Sequence, residues 1–124
     1  MAETVVDRFL RYVAIDTQSK EDSESYPSTA KQFDLLNLLV KELKELGVSQ
    51  VSIDEHGYVM ATLPATTKIS TPTIGFIAHV DTSPEVSGAN VKPQIVANYK
   101  GGDIVLPGDK SIVIQESENP ALKK

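Results

Sequence analysis

His79 and Asp81 are the residues of this chain whose types and spacing could do chemistry. They follow a short apolar run, residues 73–78, whose β-branched side chains predict a buried strand. Residues two apart on a strand point to the same face, so the pattern places both side chains together. Imidazole is a common zinc ligand, and a carboxylate two residues away could bind the metal itself or orient the imidazole. Pro84 is expected to end the strand.

The histidine–aspartate spacing is a weak signal by itself, because such triplets arise often by chance. Zinc sites generally need three or four protein ligands, so the triplet alone favours a packed or hydrogen-bonded histidine over a metal ligand. The second histidine, His56, lies in a predicted turn with Gly57, where histidine tolerates unusual backbone angles. The pattern favours a turn role for His56 over a functional one.

Composition excludes several classes of function. The chain has 124 residues, with 40% hydrophobic and 23% charged, as expected of one globular domain or less. Its formal charge of -5, from 12 basic and 17 acidic residues, argues against a nucleic-acid partner. There is no apolar run long enough to cross a membrane and no signal-peptide pattern at the start, so we expect a cytoplasmic protein. The absence of cysteine excludes disulfides, thiolate ligands and cysteine nucleophiles.

Two amphipathic helices are predicted in the first half of the chain. Residues from about 4 to 14 place their apolar side chains on one helical face, and this helix is expected to lie on a sheet. A second helix should begin at Ser28 or Thr29, with Gln32 completing a capping box, and end at Gly47. Its leucine row predicts a core-facing stripe, whereas its charged residues are interpreted as a solvated face: Lys41, Glu42, Lys44 and Glu45.

Two β-hairpins are predicted from extended runs that flank turn residues. The first joins residues 51–54 to 58–63 through a turn that contains Gly57. The second joins residues 104–106 to 111–114. The segment 16–28 is interpreted as a loop, and no element is predicted after Glu116.

Longer stretches of the sequence carry a more specific signal. The chain resembles the peptidase T family from its first helix to about Ile104, in segments that include YVAIDTQSK (12–20), GYVMATLP (57–64), GFIAHVDTSP (75–84) and YKGGDI (99–104). Peptidase T is a cytoplasmic tripeptide aminopeptidase of the dinuclear-zinc exopeptidase superfamily. The resemblance implies an α/β fold, namely the N-terminal part of a zinc-exopeptidase catalytic domain with a mixed, incomplete sheet.

The resemblance also implies roles for the two residues. His79 would be a ligand to one of two zinc ions, and Asp81 would take part in catalysis by orienting that histidine. In such enzymes the paired metals lower the pKa of a bound water, and a glutamate acts on it as general base. The substrates implied are tripeptides.

The family's remaining ligands and its general base have no counterpart in a matching motif here, so other acidic residues such as Glu85 and Asp109 are not assigned these roles. We therefore expect residues 1–124 to be a single truncated domain, without the dimerisation domain and without activity alone. An uncovered sheet edge would then invite self-association. The alternative is a small non-catalytic α/β interaction module in which His79 and Asp81 are a structural pair.

Overall fold

The computed structural model of the chain describes residues 3–123. These residues form two compact units, of which the first ends at Pro93 and the second begins at Gln94. Together they contain two α-helices and two small antiparallel sheets, which confirms a mixed α/β chain with incomplete sheets. No helix within residues 3–123 is long and apolar enough to span a membrane.

Helix α1 spans Val5–Tyr12, close to the predicted range. Thr4 and Asp7 close a capping box, in which the Thr4 hydroxyl accepts from the Asp7 amide at 3.1 Å and the Asp7 carboxylate accepts from the Thr4 amide at 3.0 Å. None of the helix residues is buried. The expectation that this helix lies on a sheet is wrong, because its tertiary links are ion pairs of Arg8 and Arg11 with Glu42 of the second helix.

Helix α2 spans Gln32–Glu45 and supplies the buried core of the first unit through Leu35 and Leu36. It begins later than predicted, and the predicted capping box is wrong, because the N-cap residue is Lys31 and no side chain caps the helix. The Gln32 side chain instead donates to the hydroxyls of Ser28 and Thr29 at 3.1 and 3.2 Å. The predicted end at Gly47 is confirmed. This glycine has a φ of 74°, and its amide donates to the Lys44 carbonyl at 3.0 Å.

Strands β1, Ser49–Ile53, and β2, Val59–Thr62, form the predicted antiparallel hairpin. Alternate residues of β1 are half-buried, as expected where one face of a hairpin packs on α2. Asp54 stabilises the turn, since one carboxylate oxygen accepts from the amides of His56 and Tyr58 at 3.0 and 2.9 Å. Gly57 completes the turn with a φ of 84°.

The predicted buried strand at residues 73–78 is wrong. This segment belongs to no strand, and all six of its residues are exposed, with Phe76 at 96%. An apolar strand becomes buried only when neighbouring strands and a covering layer are present. Within residues 3–123, the only strands outside the β1–β2 hairpin pair with each other in the second unit, so no strand pairs with this segment. The incomplete sheet structure that we expected consists of two small antiparallel sheets.

The second unit contains strands β3, Ile104–Val105, and β4, Val113–Ile114, paired antiparallel as predicted. A short 3-10 helix follows at Pro120–Lys123, where no element was predicted. A single turn of this kind has too few residues for a hydrophobic period, so the sequence pattern could not indicate it.

Candidate functional site

His79 and Asp81 lie on an extended segment of the first unit, and the structure brings their side chains together. The His79 Nδ1 atom is 3.0 Å from the Asp81 Oδ1 atom. A carboxylate that accepts from Nδ1 places the ring proton there and leaves Nε2 with a free lone pair. The predicted proximity of the two side chains is thus present, although the strand that was expected to produce it is not.

Both side chains of this pair face solvent. His79 is 84% exposed and Asp81 is 45% exposed. Exposed ion pairs contribute little to stability, with a median of roughly 0–1 kcal/mol. The arrangement therefore offers an accessible, oriented nitrogen donor and does little to hold the fold together.

A metal site needs more donors than this pair provides. Within residues 3–123, no group of three or more histidine, cysteine, aspartate or glutamate side chains lies close enough to hold a metal ion. The donor chemistry of His79 fits one position in the coordination shell of a zinc ion, with Asp81 behind it. The described residues therefore supply one candidate metal ligand and its carboxylate partner, but not a complete set of ligands.

The segment that follows the pair is bound to residues 17–19 by backbone hydrogen bonds. The Ser19 amide donates to the Thr82 carbonyl at 2.9 Å, and the Thr82 amide donates to the Thr17 carbonyl at 3.3 Å. Gln18 and Thr82 thereby form an isolated parallel bridge. These contacts join two stretches that are more than 60 residues apart in the chain.

Side chains of the same stretch add further hydrogen bonds. The Thr17 hydroxyl donates to the carbonyl of Val80, the residue between His79 and Asp81, at 2.7 Å. The Gln18 amide group donates to the carbonyls of Pro84 and Val86 at 2.9 and 3.0 Å. The sequence prediction treated residues 16–28 as a loop and missed these contacts. Its only signal was the run of short polar residues at 16–19, whose side chains readily bond to backbone groups.

This stretch is in turn attached to the beginning of α2. The Thr29 hydroxyl donates to the Gln18 carbonyl at 2.8 Å, and the Lys31 ammonium lies 2.9 Å from an Asp16 carboxylate oxygen. The Lys31 hydrogen bond lowers the pKa of Asp16, and the Gln18 amide adds to this effect. Asp16 therefore stays ionised at neutral pH, and the pair is linked to α2 through residues 16–19.

A second cluster of charged side chains surrounds Glu42 on α2. Glu42 is buried, accepts hydrogen bonds from Arg11 and Tyr12, and lies 3.7 Å from the Arg8 guanidinium. Arg11 lowers the pKa of Glu42, whereas burial and the Glu42 contact raise the pKa of Tyr12 to about 12. The interpretation of Glu42 as part of a solvated face is wrong, because α1 supplies partners that the helical period of α2 cannot reveal.

The remaining ionisable candidates have local structural partners. His56 lies in the β1–β2 turn, 3.8 Å from Glu55 and edge-on to the Tyr26 ring. In the second unit, the Asp103 carboxylate accepts from the Glu116 amide at 2.9 Å and the Asp109 carboxylate from the Ser111 amide at 2.9 Å. These contacts stabilise turns and hairpins.

Comparison with protein-family models gives no match. Curated relatives, however, match almost the whole chain. The peptidase T of Halothermothrix orenii is 58% identical over 120 residues, which are 97% of this chain and 29% of that protein. The peptidase T proteins of Clostridium acetobutylicum and Geobacillus thermodenitrificans are 56% and 52% identical over 122 residues, 98% of this chain and 30% of each relative. Over nearly its whole length the chain is therefore similar to peptidase T proteins, and it spans about 30% of the length of these curated relatives.

Proposed function

We propose that this chain is a segment of a zinc-dependent aminopeptidase that releases the N-terminal residue of tripeptides in the cytoplasm. The observation that carries the proposal is the identity of 52–58% with peptidase T proteins over nearly the whole chain. Within the matched region, the His79–Asp81 pair has the exposure and the 3.0 Å contact that a metal-binding histidine requires. A peptide is thus the proposed substrate class.

In this proposal His79 binds one of two zinc ions through Nε2. The Asp81 carboxylate accepts a hydrogen bond from Nδ1–H, which fixes the tautomer of the ring and raises its basicity as a ligand. The zinc ions, when bound, lower the pKa of a water molecule and polarise the carbonyl of the scissile bond. The other ligands and the general base are not among the residues described here, since no further acidic or histidine side chains cluster with the pair.

The pair leaves the His79 ring accessible to a ligand, since this side chain is 84% exposed. The His79–Asp81 contact adds little to the folding free energy at such exposure.

The test replaces the matching segment of the Halothermothrix orenii peptidase T by this chain and measures tripeptide hydrolysis and zinc content. We expect chelator-sensitive hydrolysis in this chimera. His79→Ala should abolish hydrolysis and lower the zinc content, and Asp81→Ala should reduce activity or zinc affinity by roughly 10- to 100-fold.

His56→Ala is the matched control, because this second histidine lies in the β1–β2 turn and contacts Glu55 and Tyr26. It should retain activity and zinc. If His79→Ala kept the zinc content and the hydrolysis rate of the parent chimera, the proposed ligand role of His79 would be wrong.

A further inference from the structure

Neither regular secondary structure nor side-chain packing at His79 and Asp81 fixes the position of this pair in the first unit. Both residues are on a segment without helical or strand pairing, apart from the bridge at Thr82. Their side chains are largely exposed, and the apolar run before them is exposed as well. Packing therefore cannot fix the pair, and hydrogen bonds to the backbone of the segment must do so.

Thr17 makes the hydrogen bond nearest to the pair. Its residue is only 3% exposed, and its hydroxyl donates to the carbonyl of Val80 at 2.7 Å. That carbonyl belongs to the peptide unit between Val80 and Asp81, so the hydroxyl restricts the backbone that separates the two side chains. The Thr17 carbonyl accepts a hydrogen bond from the amide of Thr82, the residue that follows Asp81.

Gln18 holds the segment beyond the pair. Its side-chain amide donates to two carbonyls, those of Pro84 and Val86, which both follow Asp81. Its own backbone is attached to Thr29 by the hydroxyl bond at 2.8 Å. Thr17 thus bonds to the part of the segment at the pair, and Gln18 bonds to the part that follows it. Through Gln18 the segment is also connected to the residues that precede α2.

We propose that Thr17 and Gln18 are positioning residues that hold His79 and Asp81 in their mutual contact. This inference rests on the proposed function, in which the pair presents Nε2 to a metal ion. Thr17 and Gln18 act through the backbone of residues 80–86, and loss of their hydrogen bonds lets the His79–Asp81 contact open.

The experiment measures the tautomer of the His79 ring in the full 124-residue chain by long-range proton–nitrogen correlation spectroscopy, at a pH where the ring is neutral. A carboxylate partner places the proton on Nδ1. In the unsubstituted chain we expect the Nδ1–H tautomer to dominate for His79. The two histidines of the chain are assigned by His79→Gln, and the signals of His56 then serve as an internal reference.

Thr17→Val removes the hydroxyl and keeps the shape of the side chain. We expect it to lower the ratio of Nδ1–H to Nε2–H at His79 by about fivefold, the effect of losing one net hydrogen bond. Thr17→Ser, which keeps the hydroxyl, should restore the ratio. The matched control is Thr67→Val, since the Thr67 hydroxyl accepts only the local amide of Ile69, and this change should leave the ratio unaltered.

Gln18→Met provides a second variant in case Thr17→Val unfolds the first unit, a condition that the amide signals of the β1–β2 hairpin report. It removes the donors to Pro84 and Val86 from an incompletely buried side chain. It should lower the same ratio. If the ratio is unchanged in every folded variant, or if Thr17→Ser behaves like Thr17→Val, the positioning role is overturned.

Zinc content of the chimeric peptidase separates this inference from the proposed function. Should His79→Ala leave zinc binding intact while Thr17→Val still alters the tautomer, the function is wrong and the positioning role stands. Should His79→Ala remove zinc while Thr17→Val leaves the tautomer unaltered, the function stands and the positioning role is wrong. The two experiments therefore test the ligand role of His79 and the positioning role of Thr17 independently.

Discussion

Single residues link the two helices of the first unit through charge. Glu42 on α2 accepts hydrogen bonds from Arg11 and Tyr12 and also faces Arg8, while Glu3 lies 2.8 Å from the Arg11 guanidinium. Arg11 is the main cause of the lowered pKa of Glu42. Because α1 buries no residue of its own, these ion pairs are the contacts that attach it to α2.

Because the pKa of Glu42 is lowered, the free energy of unfolding of the first unit depends on pH in the acidic range. A carboxylate whose pKa is lower in the folded chain stabilises it above the unfolded pKa, and this stabilisation is lost as the pH falls through the folded pKa. We expect the free energy of unfolding to decrease below about pH 4.5. Urea denaturation at a series of acidic pH values measures this decrease.

Glu42→Gln tests this dependence on acid at the residue itself. It should cost about 1–2 kcal/mol at neutral pH, the contribution of hydrogen bonds to a charged group, and should flatten the decrease in acid. Glu45→Gln is the control on the same helix, because Glu45 is exposed and lies 3.8 Å from Lys41. An acid profile for Glu42→Gln equal to that of the unsubstituted chain would contradict the assignment.

Gly57 is required by both the backbone and the packing of the β1–β2 turn. Its φ of 84° is one that other residues rarely adopt, and an added Cβ would lie 2.9 Å from the Leu36 Cδ1 atom. We expect Gly57→Ala to lower the free energy of unfolding by about 1–2 kcal/mol, measured by urea denaturation. Gly75→Ala, where a Cβ would meet no atom within 4 Å, should have little effect. Equal losses in the two variants would refute this explanation.

At the scale of elements, segment 73–78 exposes a continuous apolar surface to solvent. It is uncharged, and Phe76 and Ile77 are essentially fully exposed. Segments of this length with high β-propensity and no charge pair readily with other chains. We propose that it mediates the self-association of the isolated chain, with a second copy as the partner.

Ile77→Lys tests this element directly. A charge within the segment should shift the chain toward monomer across a dilution series in sedimentation velocity, because pairing would bury the ammonium group. Val5→Lys introduces the same charge at another exposed apolar residue on α1 and should leave the association unchanged. Monomer at every concentration of the unsubstituted chain would count against the proposal.

At the scale of the whole molecule, the chain spans about 30% of the length of its curated relatives. Residues 3–123 bring no three metal-binding side chains together, and zinc enzymes generally use three protein ligands. We therefore expect purified 1–124 to release no amino acid from a tripeptide in the presence of zinc. Intact Halothermothrix orenii peptidase T serves as the positive control. A chelator-sensitive rate from 1–124 would contradict this prediction.

The sequence by itself determined the elements that depend on neighbouring residues. The leucine row of α2 with its end at Gly47 and both hairpin turns involve residues close together in the chain. The two-residue spacing that allows the His79 and Asp81 side chains to meet also belongs here. Local periodicity and turn chemistry suffice for such features.

Only the tertiary structure decided the features that join distant residues. Burial of Glu42 depends on α1, and the hydrogen bonds of Thr17 and Gln18 reach carbonyls more than 60 residues away. Residues 73–78 have the pattern of a buried strand, yet they are exposed here because within residues 3–123 no strand pairs with them. A sequence pattern states which side chains favour burial, whereas burial itself requires the atoms that cover them.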